Sequence, residues 1–214
     1  NLKRGKNVVP PSPALHDEES PRIRFFSNAT SPYHFSSMMM RLPADDAAKE
    51  NTVGALRSEQ VYNHLSGLML NQLNGMKDKN IVYAASAMAK PVEVKGIETM
   101  IFELGSKPDD WKKALEKLAK RVEYIRRNGF TDADNKLGFI TKPKYNDDCT
   151  AIDFSDTTRV DQTESRLSWT NLIINSFFQG TKILDLNSTK ASRDHIRSTI
   201  TTKQVNDAFR KLVS

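Results

Sequence analysis

Cysteine and long apolar runs are the clearest shortages in this sequence. Cys149 is the only cysteine among 214 residues, which excludes a disulfide framework within the chain and any zinc site built from several cysteines. No uncharged apolar stretch approaches the roughly 18 residues that a membrane-spanning helix requires. We therefore predict no membrane span.

Sequence signatures of catalysis are missing as well. The four histidines are too far apart in sequence for two of them to share one helix face, and neither H-E-x-x-H nor H-x-x-E-H occurs, so no local zinc site is predicted. The nucleophile motif G-x-S-x-G and the glycine-rich phosphate loops are also absent. Cys149 has no histidine near it in sequence, which argues against a catalytic thiol. His64 falls within a predicted helix, and we interpret it as a structural or surface residue.

Positive charge exceeds negative charge in this chain. Lysine and arginine total 32 and aspartate and glutamate total 26, for a net charge of +6. Such a balance favours anionic partners in general. Basic and acidic residues are interleaved along most of the chain, however, and a solvated surface explains that pattern better. We therefore predict no nucleic-acid partner.

The first 21 residues differ from the rest in composition. Val8-Val9-Pro10-Pro11 and two further prolines favour extended backbone, so residues 1–21 are predicted to be a linker and 22–214 a single module. Within the module, paired strands are separated by long helices. This order predicts an α+β fold, with an antiparallel sheet and helices packed on one of its faces.

Hydrophobic periodicity gives the individual elements. Apolar residues at three- and four-residue steps predict the helices, and Thr201-x-x-Gln204 has the pattern of a capping box at the start of the last one. Thr131 is expected to cap a short helix, with Gly138 breaking the periodicity after it. We interpret Met38-Met39-Met40 as strand core, and Gly96 as a bulge. The predicted strands are 22–28, 33–42, 81–89 and 92–104. The predicted helices are 52–76, a helix with Pro108 in its first turn and Gly129 just past its end, 157–178, 188–198 and the segment from Thr201.

Four short motifs, in this order and at these separations, resemble a known family. They are Met69-Leu70-Asn71-Gln72-Leu73, Arg126-Arg127-Asn128-Gly129-Phe130-Thr131-x-x-Asp134, Ser176-Phe177-Phe178-Gln179-Gly180 and Ile200-Thr201-Thr202-Lys203-Gln204-Val205-Asn206. Together they resemble a module of the insulinase-like (pitrilysin) zinc metallopeptidases, the inverzincins whose catalytic signature is H-x-x-E-H. The resemblance covers about residues 10–213. Gln72 replaces the arginine of the family pattern, and Asp134 replaces a glutamate.

The resemblance implies a specific place in a larger protein. In that family an α+β module is duplicated along the chain, and the first copy holds zinc, with the glutamate of H-x-x-E-H as general base. Later copies lack the metal site and close over the first copy to form a chamber for unfolded peptides. This chain resembles such a non-catalytic copy, and its proline-rich start resembles the connecting linker. The implied partners are an upstream zinc-bearing peptidase domain and peptide substrates. Bacterial relatives favour the periplasm or cell envelope, and the alternative is the cytoplasm.

One substrate-binding residue is implied in this chain. Some family members place an arginine and a tyrosine just after the first helix of the second module, where they bind the substrate backbone. Tyr83 lies at about that position, preceded by Lys77 and Lys79. The resemblance therefore implies that Tyr83 contacts substrate, and the alternative is that it packs within a β-strand.

Three functional hypotheses follow. The first is a non-catalytic domain of a zinc metalloendopeptidase, with zinc bound only in the catalytic domain of the parent protein. The second is a catalytically inactive scaffold or binding module of the same fold. The third is a binder of nucleic acid or another anionic surface, whose affinity would fall steeply with salt.

Overall fold

The computed structural model describes residues 34–42, 52–77, 82–89, 98–140 and 186–213. All of them belong to one compact unit, residues 32–214. The predicted linker (1–21), the predicted strand 22–28, the predicted helix 157–178 and the motif 176–180 lie outside the described residues.

Three strands and five α-helices make up the described part of the chain. Most of the predicted elements within it are present, with ends shifted by a few residues. The bounds are β1 His34–Leu42, α1 Val53–Asn74, β2 Val82–Ala89, β3 Glu98–Ser106, α2 Trp111–Asn128, α3 Asp132–Ile140, α4 Leu186–Ser198 and α5 Thr202–Leu212, with a 3-10 turn at Pro108–Asp110 before α2.

Local sequence explains where the helices begin and end. The Thr52 side chain accepts a hydrogen bond from the Ala55 amide, which satisfies one of the free N–H groups at the start of α1. Helix α2 ends at Gly129, whose φ of 74° lies in the left-handed region that favours glycine. Helix α5 begins with the predicted capping box, since Thr201 and Gln204 each bond the other's backbone N–H.

The sheet is antiparallel, in the order β1-β3-β2. One face of the sheet packs against α1 and α2. Side chains that alternate along β3, namely Met100, Phe102 and Leu104, are almost fully buried on this face. The core also takes Leu65, Leu68, Met69 and Leu73 of α1, Leu118, Val122 and Ile125 of α2, and Val205, Phe209 and Leu212 of α5. The described residues thus form a three-stranded antiparallel sheet with helices on one face.

A β-bulge at Tyr83 keeps the inner face of β2 apolar. Val82 pairs with Ser106 and Ala84 with Gly105, so the register shifts by one residue between them. Without the extra residue, Val82 and Ala85 would point to opposite faces, because strand side chains alternate. With it, Val82 and Ala85 both contact the core. The predicted bulge at Gly96 lies outside the described residues.

Helix α3 corrects the prediction that Gly138 interrupts helical structure. The helix runs through Gly138 to Ile140, and this glycine allows α3 to approach α1 closely. A Cβ at position 138 would overlap Leu68 Cδ2 and would lie 2.8 Å from His64 Cε1. Packing against α1 therefore favours glycine at a position where helix propensity alone would not.

Candidate functional site

The motifs at Gly129-Phe130 and Asn206 meet at a close backbone contact. Asn206 Oδ1 accepts a 2.7 Å hydrogen bond from the Phe130 amide, and Asn206 Nδ2 donates to the Phe130 carbonyl at 3.1 Å. A Cβ on Gly129 would lie 2.9 Å from Asn206 Nδ2. The Phe130 ring packs edge-on against Phe209, with centroids 5.8 Å apart. These residues attach α5 to the turn between α2 and α3.

The two positions that differ from the family pattern contact each other. Gln72 Nε2 donates a 2.8 Å hydrogen bond to Asp134 Oδ1, and Arg121 Nη1 donates to Gln72 Oε1 at 3.1 Å. Asp134 Oδ2 accepts bonds from the Thr131 amide and hydroxyl, and Thr131 Oγ1 accepts from the Asp134 amide. A cleft of about 270 Å³ lies over this group. These polar groups bond one another, and through them α1, α2 and the start of α3 are connected.

His64 is buried and joins α1 to α3. Its Nε2 lies 2.7 Å from Asn135 Oδ1, and Asn135 Nδ2 donates to the Ile200 carbonyl at 3.4 Å. Since the amide nitrogen is the donor to Ile200, its oxygen is the acceptor, and His64 Nε2 carries the proton. Burial lowers the pKa of His64 below its ordinary value, and the positive charge of Arg197 adds to this, against the opposing effect of the Asn135 bond. The neutral imidazole is therefore a structural bridge, as predicted.

The face of the sheet turned away from α1 and α2 carries three large apolar side chains that are exposed. Residues that alternate with the core-facing ones point to this side: Phe35, Ser37 and Met39 on β1, Ile101, Glu103 and Gly105 on β3, and Ala84, Ser86 and Met88 on β2. We call these nine residues the open face. Phe35 is 58% exposed, Met39 59% and Met88 39%, whereas Ile101, between Met39 and Met88, is 8% exposed. Such exposure of large apolar side chains on one surface marks a candidate contact site.

The prediction for the methionine run is corrected at its middle residue. Met38 and Met40 contact the core, as predicted, but Met39 belongs to the open face. The orientation of β1 is fixed by Ser36, whose hydroxyl donates a 3.0 Å hydrogen bond to the Trp111 carbonyl at the start of α2. Because side chains alternate along a strand, Ser36, Met38 and Met40 face the helices and Met39 does not.

The open face carries one acidic side chain at its centre. Glu103 lies on β3, the middle strand, and its Oε1 accepts a 2.8 Å hydrogen bond from the Ser37 hydroxyl. Ser86 of β2 pairs with Glu103 from the other side. A carboxylate among apolar side chains gives this surface a preferred ligand charge.

Tyr83 is placed at the bulge of β2. Its neighbour Ala84 belongs to the open face, since it pairs with Gly105. The prediction that Tyr83 contacts substrate stays a prediction.

The histidines and acids of the described residues do not gather into a metal site. Within the described ranges, no group of three or more histidine, cysteine, aspartate or glutamate side chains is arranged to hold a metal ion. His195 is exposed on α4 and His34 is half-buried at the start of β1, whereas His16 and Cys149 are not described. Among the helices in the described part of the chain, none combines the length and apolar character needed to cross a bilayer.

Comparison with known proteins gives a result for structure only. The sequence matches no family model and no curated protein. The periplasmic protease PqqL from Escherichia coli matches with a TM-score of 0.60 and 15% identity over 83% of this chain. A protein described as a predicted insulinase family protease from Yersinia pestis matches with a TM-score of 0.59 and 15% identity over 86%.

A third match has the same character. The ferredoxin protease FusC, solved in complex with Arabidopsis ferredoxin, gives a TM-score of 0.59 and 12% identity over 88% of this chain. This chain shares its fold with parts of these three proteases. At these identities the likeness extends to the fold alone. The chain spans 19% of PqqL, 37% of the Yersinia protein and 20% of FusC.

Sequence reasoning missed the open face. The signal was available in β1, where Phe35 and Met39 are apolar on one face and Met38 and Met40 on the other. A strand that is apolar on both faces is either buried on both faces or has one face that is exposed and can bind a partner. Only the placement of the helices distinguishes these cases.

Proposed function

We propose that this chain is a non-catalytic module of a zinc metalloendopeptidase, and that its open face forms the wall of the substrate chamber opposite the zinc-bearing domain. The open face carries the proposal. It is a sheet surface with Phe35, Met39 and Met88 exposed, in a fold shared with insulinase-type peptidases. An exposed apolar surface of this kind can hold unfolded peptides, whose apolar side chains gain by leaving water.

The hydrogen bonds made by the motif residues and by His64 indicate a structural and not a catalytic role for them. Gln72, Asp134, Asn206 and His64 are used in hydrogen bonds between helices. We therefore assign zinc and the general base to an upstream domain of the parent protein. Peptides bound on this wall would be cleaved by that domain, and Tyr83, beside the open face at the bulge of β2, is proposed as an additional substrate contact.

Photo-crosslinking on the purified 214-residue chain tests the chamber-wall role. Met39→p-benzoylphenylalanine places a reactive group on the open face, and Tyr124→p-benzoylphenylalanine is the matched control on α2, because the two native residues are 59% and 55% exposed. We expect a labelled unstructured peptide to cross-link at position 39 and not at position 124. Equal cross-linking at both positions, or none at position 39, would contradict the proposal.

Zinc content and peptide cleavage test the assignment of catalysis to another domain. We expect the chain alone to bind less than one equivalent of zinc and to leave a quenched fluorescent peptide intact. One tightly bound zinc per chain with cleavage that a chelator abolishes would overturn the assignment. The second hypothesis, an inactive scaffold of the same fold, is distinguished by the coding sequence upstream of Asn1, where a functional peptidase has H-x-x-E-H.

A further inference from the structure

Where all three strands pair, the open face has three rows that run across the strands, and Arg41 and Thr99 follow the third row on the same side of β1 and β3. Phe35, Gly105 and Ala84 form the first row, Ser37, Glu103 and Ser86 the second, and Met39, Ile101 and Met88 the third. The first row carries the exposed Phe35, and the third carries the exposed Met39 and Met88 on either side of Ile101, which is buried. The second row is polar, with a carboxylate at its centre. Neighbouring rows are about 6.8 Å apart, because residues on one face are two positions apart along each strand.

An extended peptide has the same spacing. Its side chains at positions i, i+2 and i+4 point to one side and repeat at about 6.8 Å. A peptide lying along the strands can therefore place one side chain on each row. The rows then select an apolar residue, a basic residue and a second apolar residue.

We propose that the open face binds extended peptide segments of the form apolar-x-basic-x-apolar, with the lysine or arginine paired to Glu103. This inference rests on the proposed function and specifies its substrate class. The apolar side chains of the peptide cover Phe35 at one end and Met39 and Met88 at the other. The Ser37 hydroxyl donates a hydrogen bond to Oε1 of Glu103. A carboxylate has about four acceptor positions in all, so one carboxylate can bond both Ser37 and a basic side chain.

The carboxylate also disfavours other occupants. An entirely apolar peptide would cover Glu103 without supplying an opposite charge. A lipid acyl layer would do the same. Burying a carboxylate without a partner is costly, whereas a basic side chain at the middle position offsets that cost and is held in place by the apolar contacts on both sides.

Fluorescence anisotropy with matched peptides tests the charge preference. Three labelled peptides differ only at the middle position, which is lysine, norleucine or glutamate, and a fourth moves the lysine by one residue so that it points away from the sheet. We expect the lysine peptide to bind about tenfold more tightly than the glutamate peptide at low salt. The preference should shrink in 0.5 M salt, because exposed ion pairs are screened.

Two variants identify the residue responsible. Glu103→Gln keeps an oxygen for the Ser37 hydroxyl and removes the charge, so binding of the lysine peptide should weaken about three- to tenfold while that of the norleucine peptide stays unchanged. Glu116→Gln is the control, because Glu116 is an exposed acid on α2 that pairs with Lys120. It should leave all affinities unchanged. Thermal melting of each variant confirms that it is folded.

The outcomes separate this inference from the proposed function. Peptide binding with no preference for lysine, or a preference that survives in Glu103→Gln, overturns the inference and leaves the chamber wall intact. Absence of binding to all four peptides overturns both. Concentration-dependent dimerisation that Met39→Ser abolishes would assign the open face to a second copy and would also overturn the inference.

Discussion

Gly138 lies so close to α1 that its substitution should depend on the residue at position 68. An ideal Cβ at position 138 would overlap Leu68 Cδ2. Alanine gains about 1 kcal/mol over glycine from helix propensity, and inserting a methyl group into a packed contact costs about 1–3 kcal/mol. Gly138→Ala should therefore lower the free energy of unfolding by up to about 2 kcal/mol.

The stability that Gly138→Ala loses should depend on the length of the side chain at position 68. Leu68 is 1% exposed, so Leu68→Ala alone should cost about 2–5 kcal/mol. In the double variant the methyl group added at position 138 enters the space that the Leu68 side chain leaves. The loss should then be smaller than the sum of the single losses by about 1–3 kcal/mol.

Urea denaturation followed by circular dichroism measures the three free energies. Gly67→Ala is the matched control, because Gly67 lies in helix α1 and its ideal Cβ would have nothing within 4 Å. This variant should be stabilised by about 1 kcal/mol. Losses that add within about 0.5 kcal/mol, or a Gly138→Ala variant as stable as Gly67→Ala, would refute the reasoning.

The remaining predictions concern the helix junctions, all by denaturation. Asn206→Ala removes both side-chain bonds to the Phe130 backbone and should cost about 2–4 kcal/mol, whereas Asn128→Ala, at an exposed asparagine, should stay within about 0.5 kcal/mol of the parent; equal effects would contradict this. Thr201→Ala removes the cap of α5 and should cost about 1 kcal/mol, with Thr201→Ser restoring most of it. The pKa of His64 is lower in the folded chain than its usual 6.5, so the unfolded chain takes up a proton first and stability should fall as pH drops below about 6.5. His64→Gln should fall less between pH 7.5 and 5.5, and an unchanged pH dependence would show that His64 is not responsible.

Local sequence was sufficient for helices α1, α2 and α5. In α2, Leu118, Val122 and Ile125 recur at helical spacing and are all buried, and Gly129 ends the helix as predicted. The Thr201-x-x-Gln204 pattern gave the start of α5 because both bonds of a capping box are made by residues three apart. These features depend on neighbours in sequence, so they can be predicted from the sequence.

The motifs identified the fold for a related reason. Their polar residues, Gln72, Asp134 and Asn206, bond the backbone and side chains of neighbouring helices. Side chains that join helices to one another serve the architecture and not a particular reaction, so they indicate the fold and leave the activity open. Substrate contact by Tyr83 stays a prediction.

What only the tertiary structure decided is which surfaces are covered. Met38, Met39 and Met40 are identical in chemistry, yet Met38 and Met40 contact the core and Met39 is 59% exposed. Glu103 gains its place between two apolar rows only through the pairing of β1 and β2 with β3. Likewise, Gly138 continues a helix because α1 lies against it. The sequence alone determined helices α1, α2 and α5 and their ends, since those depend on residues within one or two turns. The open face and the contact at Gly138 depend on residues far apart in sequence, whose proximity exists only in the folded chain.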